Sequence, residues 1–359
     1  VTERRARRIA RAAIVVLIAG FAAAPVLLSH DVYSYVDYAR LGVVHGLNPY
    51  VHSPAAEPFD PVYARVTWID TVSAYGPLFT LATYPLAWLP VWWAVAALKA
   101  TAALSVLAIA LLVARIAPAR GVSPLGAAAF VALNPLVLIH VVGGAHNDGL
   151  AMLAATLGVV ATLSAAEASA GAAYAAAFAI KAPAAVAAPF ALVSAARLRL
   201  LPHPDVEKVE NGLTSRPAAR LLAGAVVAAL AIGVAAYAAF GWHWLHTVEL
   251  LGRHEHKSTH MSAPSTLARL TGLDETAIRA TALALFAIAF LYLLWRTWRG
   301  ADWLRCAAWA SFALLLATAW LLPWYLIWTL PLVALSRDRP LQLLTLALTI
   351  YQLPARMPL

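Results

Sequence analysis

The sequence predicts an all-α polytopic membrane protein, a bundle of about eleven transmembrane helices with re-entrant or juxtamembrane helices on its outer face. Three observations carry that prediction. Of 359 residues, 62% are hydrophobic and only 12% charged, about half the charge of an ordinary soluble domain. Mean hydropathy is +0.76. Apolar runs near the roughly 20 residues that a spanning helix needs recur from end to end. Cys306 is the single cysteine, which excludes a disulfide framework and a cysteine-based zinc site. The net charge of +9 belongs to cytoplasmic loops, where lysine and arginine accumulate, so no nucleic-acid partner is expected.

Arg4, Arg5, Arg7, Arg8 and Arg11 hold the N-terminus in the cytoplasm, and residues 12–29 cross outward. "AAAP" makes a poor cleavage site, so this segment is expected to remain as an uncleaved anchor. Residues 30–75 form an outer loop. "YGPLFTLATYPLAWLP", 75–90, is short and interrupted by Pro85, and reads as a re-entrant piece. A span at 91–114 leads to Arg115 and Arg120 inside; 122–141 returns outward to "GGAHNDG", and 148–166 goes back in.

The run 169–196 breaks at Lys181-Ala182-Pro183, because proline removes a helix hydrogen bond. Such a break survives at membrane depth only where protein or a wet cavity satisfies the freed backbone. Residues 197–218 form the large cytoplasmic loop. Residues 219–240 then exit, 241–276 make a second outer loop, and 277–295 enter to Arg296 and Arg299. A broken pair, 303–321 and 324–336, turns at "LLPWY", and 340–354 completes the bundle. The whole chain, 1–359, reads as one transmembrane domain of the plasma membrane. Every histidine except His203 falls at or near the outer face, so titratable chemistry is expected outside the cell.

The richest stretch is "HDVYSYVDYARLGVVHGLNPY". On a helix, Asp31, Tyr35, Tyr38 and His45 share one face, while Val32, Val36 and Val43 turn toward lipid. An aromatic belt has the same composition, yet a belt needs no aspartate beside the membrane end. A carboxylate there can take a proton from a hydroxyl. Tyr33, Asp37, Asn48 and Tyr50, with Tyr35, become candidate sugar or acceptor contacts. Lys181 is the candidate cation for a departing phosphate, since a lysine in an apolar span is costly; the alternative is that it snorkels to the surface. Lys99, deeper in its run, pairs or snorkels and has no assigned role.

His146, Asn147 and Asp148 at a glycine-flanked break either cap the next helix or bind sugar hydroxyls. "WHWLHTVELLGRHEHKSTHMSAPS" carries Arg253, His254, His256 and Lys257. Its histidine spacing resembles a zinc set without a closing carboxylate, so no metal and no cofactor is predicted, and Arg253, His254 and His256 are assigned to the phosphate. Tyr75, Trp324 and Tyr325 can stack on sugar faces.

Five motifs in order, "HDVYSYVDYARLGVVHGLNPY", "SAYGPLF", "GGAHNDGLAM", "AIKAPAAVAAPF" and "LPWYLIWTLPL", resemble the GT-C-fold bacterial mannosyltransferases. The resemblance is to the polyprenol-phosphomannose-dependent α-1,6-mannosyltransferases of lipomannan assembly and their phosphatidylinositol-mannoside relatives. It spans nearly the whole chain, although this chain is short for the group. It implies a GT-C-type bundle and inverting transfer from a polyprenyl-phosphate mannose to a lipid-linked glycan or glycolipid at the extracytoplasmic face. It also implies that Asp31 is the catalytic base. A monomer is expected. Other polyprenyl-phosphate sugars, arabinose or glucose among them, remain alternative donors. A transporter of lipid-linked sugars is the rival class, disfavoured because no internal repeat is visible. A non-catalytic scaffold for envelope assembly is a third.

Overall fold

The computed structural model describes residues 2–198, 217–245 and 257–355, and these are helices and their connections, with no strand among them. In chain order the helices are α1 (Thr2–Ala23), α2 (Asp31–Val43), α3 (Pro77–Thr83), α4 (Val91–Ile116), α5 (Pro124–Ala132), α6 (Asp148–Leu163) and α7 (Glu167–Ile180). They continue as α8 (Ala188–Leu198), α9 (Pro217–Phe240), α10 (Ala263–Thr271), α11 (Glu275–Trp298), α12 (Trp303–Ala317), α13 (Leu330–Leu335) and α14 (Arg339–Gln352). Three of them, α4, α9 and α11, are long and apolar enough to cross a membrane. Helix α1 is arginine-rich over its first half, and most of the others are short because proline and glycine cut the apolar runs.

Helix starts follow local chemistry. Proline, whose missing N–H is an orphan at a first turn anyway, opens α3, α5 and α9. Asp274, Asp302 and Asp338 accept the first backbone N–H groups of α11, α12 and α14, and Ser123 and Ser262 do so for α5 and α10. Asp302 also meets Arg120, and Asp338 accepts from Arg305 and Trp309.

The core is centred on α4, whose Leu98, Ala102, Val106, Ile109 and Val113 are buried where α1, α5 and α6 pack. Lys99 belongs to this face. It is 4% exposed, and its ammonium donates to the carbonyls of Pro25 at 3.1 Å and Gly143 at 2.8 Å. It therefore neither snorkels nor meets an acid; it satisfies backbone freed by two chain breaks. Helices α7 and α9 cross at backbone contact: a Cβ on Gly171 would strike the Leu221 carbonyl, and one on Gly224 the Ala168 carbonyl. Small residues permit this approach.

Several boundaries differ from the sequence prediction. The first span was expected over 12–29, but α1 ends at Ala23, because Pro25 pushes the residue before it out of helical geometry. The 122–141 span is broken at Asn134-Pro135. There Asn134 Oδ1 accepts the Leu136 N–H at 3.0 Å, and a π-helical segment, Val137–Val142, follows. The 75–90 piece is short and interrupted, as α3 plus a 3-10 stretch over Tyr84–Trp88. Most of the predicted 197–218 loop lies outside the described residues. Val32 and Val36, expected to face lipid, are 0% exposed. They sit in the protein core, because α2 packs on α3 and α4.

Candidate active site

A cavity of about 1040 Å³ opens between the segment 28–77, helices α7, α9 and α11, and the stretch from α12 to Trp328. Asp31 lines it from the first turn of α2, where a carboxylate is favoured by the helix dipole. The chain enters that helix through a left-handed Leu28, with φ of 56°. Ser29 Oγ then accepts the Asp31 N–H at 3.3 Å. Trp68 Nε1 donates to Asp31 Oδ1 at 3.3 Å. Burial pushes the Asp31 carboxyl above its ordinary value; the Lys181 charge and the Trp68 N–H oppose that shift without cancelling it.

Lys181 stands at the predicted break. Its backbone is extended, with φ of −159° and ψ of 110°. Gly76 N–H donates to the Ile180 carbonyl at 3.3 Å, and a Cβ on Gly76 would collide with the Ala179 carbonyl. "YGP" is thus the piece that satisfies the broken helix end. The ammonium lies 2.7 Å from Asp148 Oδ2, whose side chain is fully buried. It also sits 5.0 Å over the Tyr325 ring and 5.8 Å over Trp328, and Trp328 Nε1 donates to the other Asp148 oxygen at 2.6 Å.

Of the described residues singled out from sequence, Asp31, Tyr38, Tyr75, Lys181, Trp324 and Tyr325 line the cavity. The other described candidates do not line it. His146 is 0% exposed and stacks on Trp324 at 3.6 Å between ring centroids, behind the cavity wall. Neither its ring nitrogens nor the Asn147 amide has a hydrogen-bond partner among the described residues. Tyr35 packs edge-on against Tyr75 and Phe79. Tyr50 is buried, its hydroxyl donating to the Tyr75 carbonyl at 2.8 Å, and Asn48 donates to the Phe240 carbonyl at 2.8 Å. Tyr33 carries the Arg65 guanidinium above its ring at 5.6 Å. Arg253, His254 and His256 lie outside the described residues. Among the described residues no group of three or more His, Cys, Asp or Glu could hold a metal ion.

Asp37 belongs to a separate cluster. Asp60 accepts from Arg40 Nε at 2.9 Å, meets His45 Nε2 at 2.7 Å and accepts the Val62 N–H at 3.0 Å. Although burial works against it, those partners hold the Asp60 carboxyl below its ordinary value. His45 is also 3.5 Å from Glu57. Asp37 is 1% exposed, and its Oδ2 has no partner among the described residues. Burial first, and then repulsion from Asp60, raise its carboxyl to about 7.

Sequence reasoning did not single out Trp68, Arg279 or Trp320, which line the cavity together with Lys257 of the histidine-rich stretch. Lys257 Nζ lies 4.6 Å over Trp68 and 5.6 Å over Trp320. The signal for the two aromatics was slight: Trp68 lies within the predicted 30–75 outer loop and Trp320 at the end of the predicted 303–321 helix.

Residues 1–197 match the family model described as alpha-(1->6)-mannopyranosyltransferase, N-terminal domain, and residues 262–353 match the MptB C-terminal domain. Among curated proteins, an alpha-(1->6)-mannopyranosyltransferase of Mycobacterium tuberculosis is 33% identical over 134 residues, 35% of this chain and 22% of the relative. Alpha-(1->6)-mannopyranosyltransferase A of Corynebacterium glutamicum is 30% identical over 146 residues, 39% of this chain and 29% of the relative. The protein of that name from Mycobacterium tuberculosis is 34% identical over 151 residues, with the same two shares, 39% and 29%. The matched stretch thus spans between 22% and 29% of these relatives' length. No solved structure matches the chain.

Proposed function

The chain belongs to the alpha-(1->6)-mannopyranosyltransferase family, and from that premise we propose that it moves a mannosyl residue from a polyprenyl-phosphate donor to a lipid-linked glycan or glycolipid. The shorter, broken helices then complete a GT-C-type bundle of about eleven crossings. The N-terminus is cytoplasmic and the cavity opens on the extracytoplasmic side of the plasma membrane.

The observation that carries this reading is the position of Asp31, a carboxylate facing a roomy cavity whose other walls are mostly aromatic and apolar and carry the cations Lys181, Lys257 and Arg279. In the reaction an acceptor hydroxyl oxygen attacks the anomeric carbon from the face opposite the phosphate. The bond from that carbon to the phosphate oxygen breaks, the electron pair leaves with the polyprenyl phosphate, and the hydroxyl proton passes to Asp31. Configuration inverts. The leaving phosphate needs positive charge and hydrogen-bond donors rather than a proton. A carboxyl raised above the ordinary aspartate range is, in its ionised form, a stronger base toward the hydroxyl proton. Tyr75, Trp324 and Tyr325 offer ring faces to the sugar.

The test is transfer by purified protein presented with a panel of polyprenyl-phosphate sugars and membrane glycolipid acceptors. Mannosyl transfer is expected, and Asp31→Asn should lower its rate by roughly 10²–10⁴-fold in a folded protein. Wild-type turnover in that variant removes Asp31 from the chemistry, and no transfer from any donor removes the enzyme reading.

A further inference from the structure

Two lysines line the cavity, Lys181 and Lys257, and their surroundings differ. The Lys181 charge is already engaged by the fully buried Asp148 at 2.7 Å. Turning it to a ligand leaves a buried carboxylate uncompensated, which is strongly unfavourable. Lys257 meets no carboxylate among the described residues; its ammonium rests on the faces of Trp68 and Trp320. A cation held on aromatic faces keeps its hydrogen-bond donors free for an anion.

The segment around Lys257 is firmly seated. Thr259 N–H donates to the Ala319 carbonyl at 2.9 Å, and its hydroxyl to the Leu321 carbonyl at 2.8 Å, which fastens Lys257 beside Trp320. The Arg279 guanidinium, on α11, donates to the Lys257 carbonyl at 3.1 Å, so a second cation lines the cavity at the same place. Four residues further along the same helical face, Leu283 also lines the cavity. Facing it from α9 are Val226, Ala229 and Gly233, again on one face. An apolar groove therefore leads away from two cations. Trp68 joins that cationic end to the carboxylate: its ring carries Lys257 while its N–H donates to Asp31.

We propose that Lys257, aided by Arg279, holds the phosphate of a polyprenyl phosphate whose chain runs in the groove between α9 and α11, and that Lys181 does not. This rests on the reading of the cavity as a lipid-phosphate-sugar site. An anionic head with a long apolar tail is the ligand that fits two cations at the mouth of an apolar groove. With the phosphate at Lys257, a single indole separates the leaving group from the base, which leaves the anomeric carbon between them.

The experiment is equilibrium binding of undecaprenyl phosphate, undecaprenol and inorganic phosphate to the full chain in nanodiscs, independent of turnover. Lys257→Ala should weaken undecaprenyl phosphate about tenfold or more, the scale of a lost charge-assisted contact, and leave undecaprenol unchanged. Lys257→Arg, which keeps the charge and the ring contact, should retain most of the affinity, and inorganic phosphate should compete poorly. Undiminished binding of undecaprenyl phosphate by Lys257→Ala overturns the proposal, as does an equal loss for undecaprenol or tight binding of inorganic phosphate alone. Wild-type protein that binds as expected yet transfers no sugar sinks the enzymatic reading and leaves this one standing.

Discussion

Replacing Asp37 with asparagine should stabilise the protein, and by more as pH rises. The native carboxyl is 1% exposed and shifted from 3.8 to about 7 by burial and then by repulsion from Asp60; Arg40 and His45, which oppose the shift, are engaged by Asp60. Between those two values the folded chain keeps a proton that the unfolded chain has released. Stability contributed by this group is therefore complete below the unfolded value and is lost as pH rises toward the folded one. At about 1.4 kcal/mol per unit, the full effect is a little over 4 kcal/mol. Asparagine mimics the protonated acid and carries no such dependence. From pH 5 to pH 8 the advantage of Asp37→Asn should grow by about 2–3 kcal/mol. The assay is thermal unfolding of both proteins in one detergent across that range, where the gap in Tm should widen by a few degrees. Parallel Tm curves would refute the reasoning, since they would mean that Asp37 is ionised throughout or that its proton is indifferent to folding.

Three other outcomes follow from the geometry. Lys181→Met should cost about 3–5 kcal/mol by stranding the buried Asp148 carboxylate, and the double variant Lys181→Met/Asp148→Asn should recover most of it; a single variant as stable as wild type shows that the pair does not fasten the hinge. Trp68→Phe keeps a ring beneath Lys257 but removes the N–H that favours ionised Asp31, so activity, which fails as Asp31 gains a proton, should fail at a higher pH. A kcat/KM profile with an unmoved acid limb disconnects the indole from the base. Gly171→Leu or Gly224→Leu should abolish the yield of monodisperse protein, because the α7–α9 crossing is backbone against backbone. Gly233→Ala, with open space around the added carbon, should be tolerated, and equal yields from all three would dismiss the crossing as a packing requirement.

Much of this architecture is legible in residue order alone, and the pattern of what is not has a physical cause. The break at Lys181 is readable because a proline two residues on and a lone charge in an alanine-rich run both oppose a continuous helix. The role of Gly76 as its backbone partner is not, since that contact joins segments about a hundred positions apart in the chain. Val32 and Val36 show a sharper limit. An apolar stripe specifies an apolar neighbour, and lipid and protein core satisfy it equally, so the helical period was correct while the medium was not. The same ambiguity applies to "GGAHNDGL": His146, Asn147 and Asp148 were read as facing outward, but polar side chains at a break can equally turn inward when an ammonium and indoles await them. Trp68 and Lys257 become a pair only once two segments far apart in the chain are folded against each other, and no local spacing records that meeting.

The π-helical segment Val137–Val142 has a consequence for how this region tolerates insertions and deletions. Such a turn holds one residue more than an α-helical path of the same course requires, here just ahead of the glycines that release the chain toward His146. A single-codon deletion within it should therefore be absorbed by a return to ordinary helix, whereas the same deletion in a regular helix would rotate every side chain beyond it by about 100°. The shortened chain would still traverse the same ground and keep Asp148 within reach of Lys181.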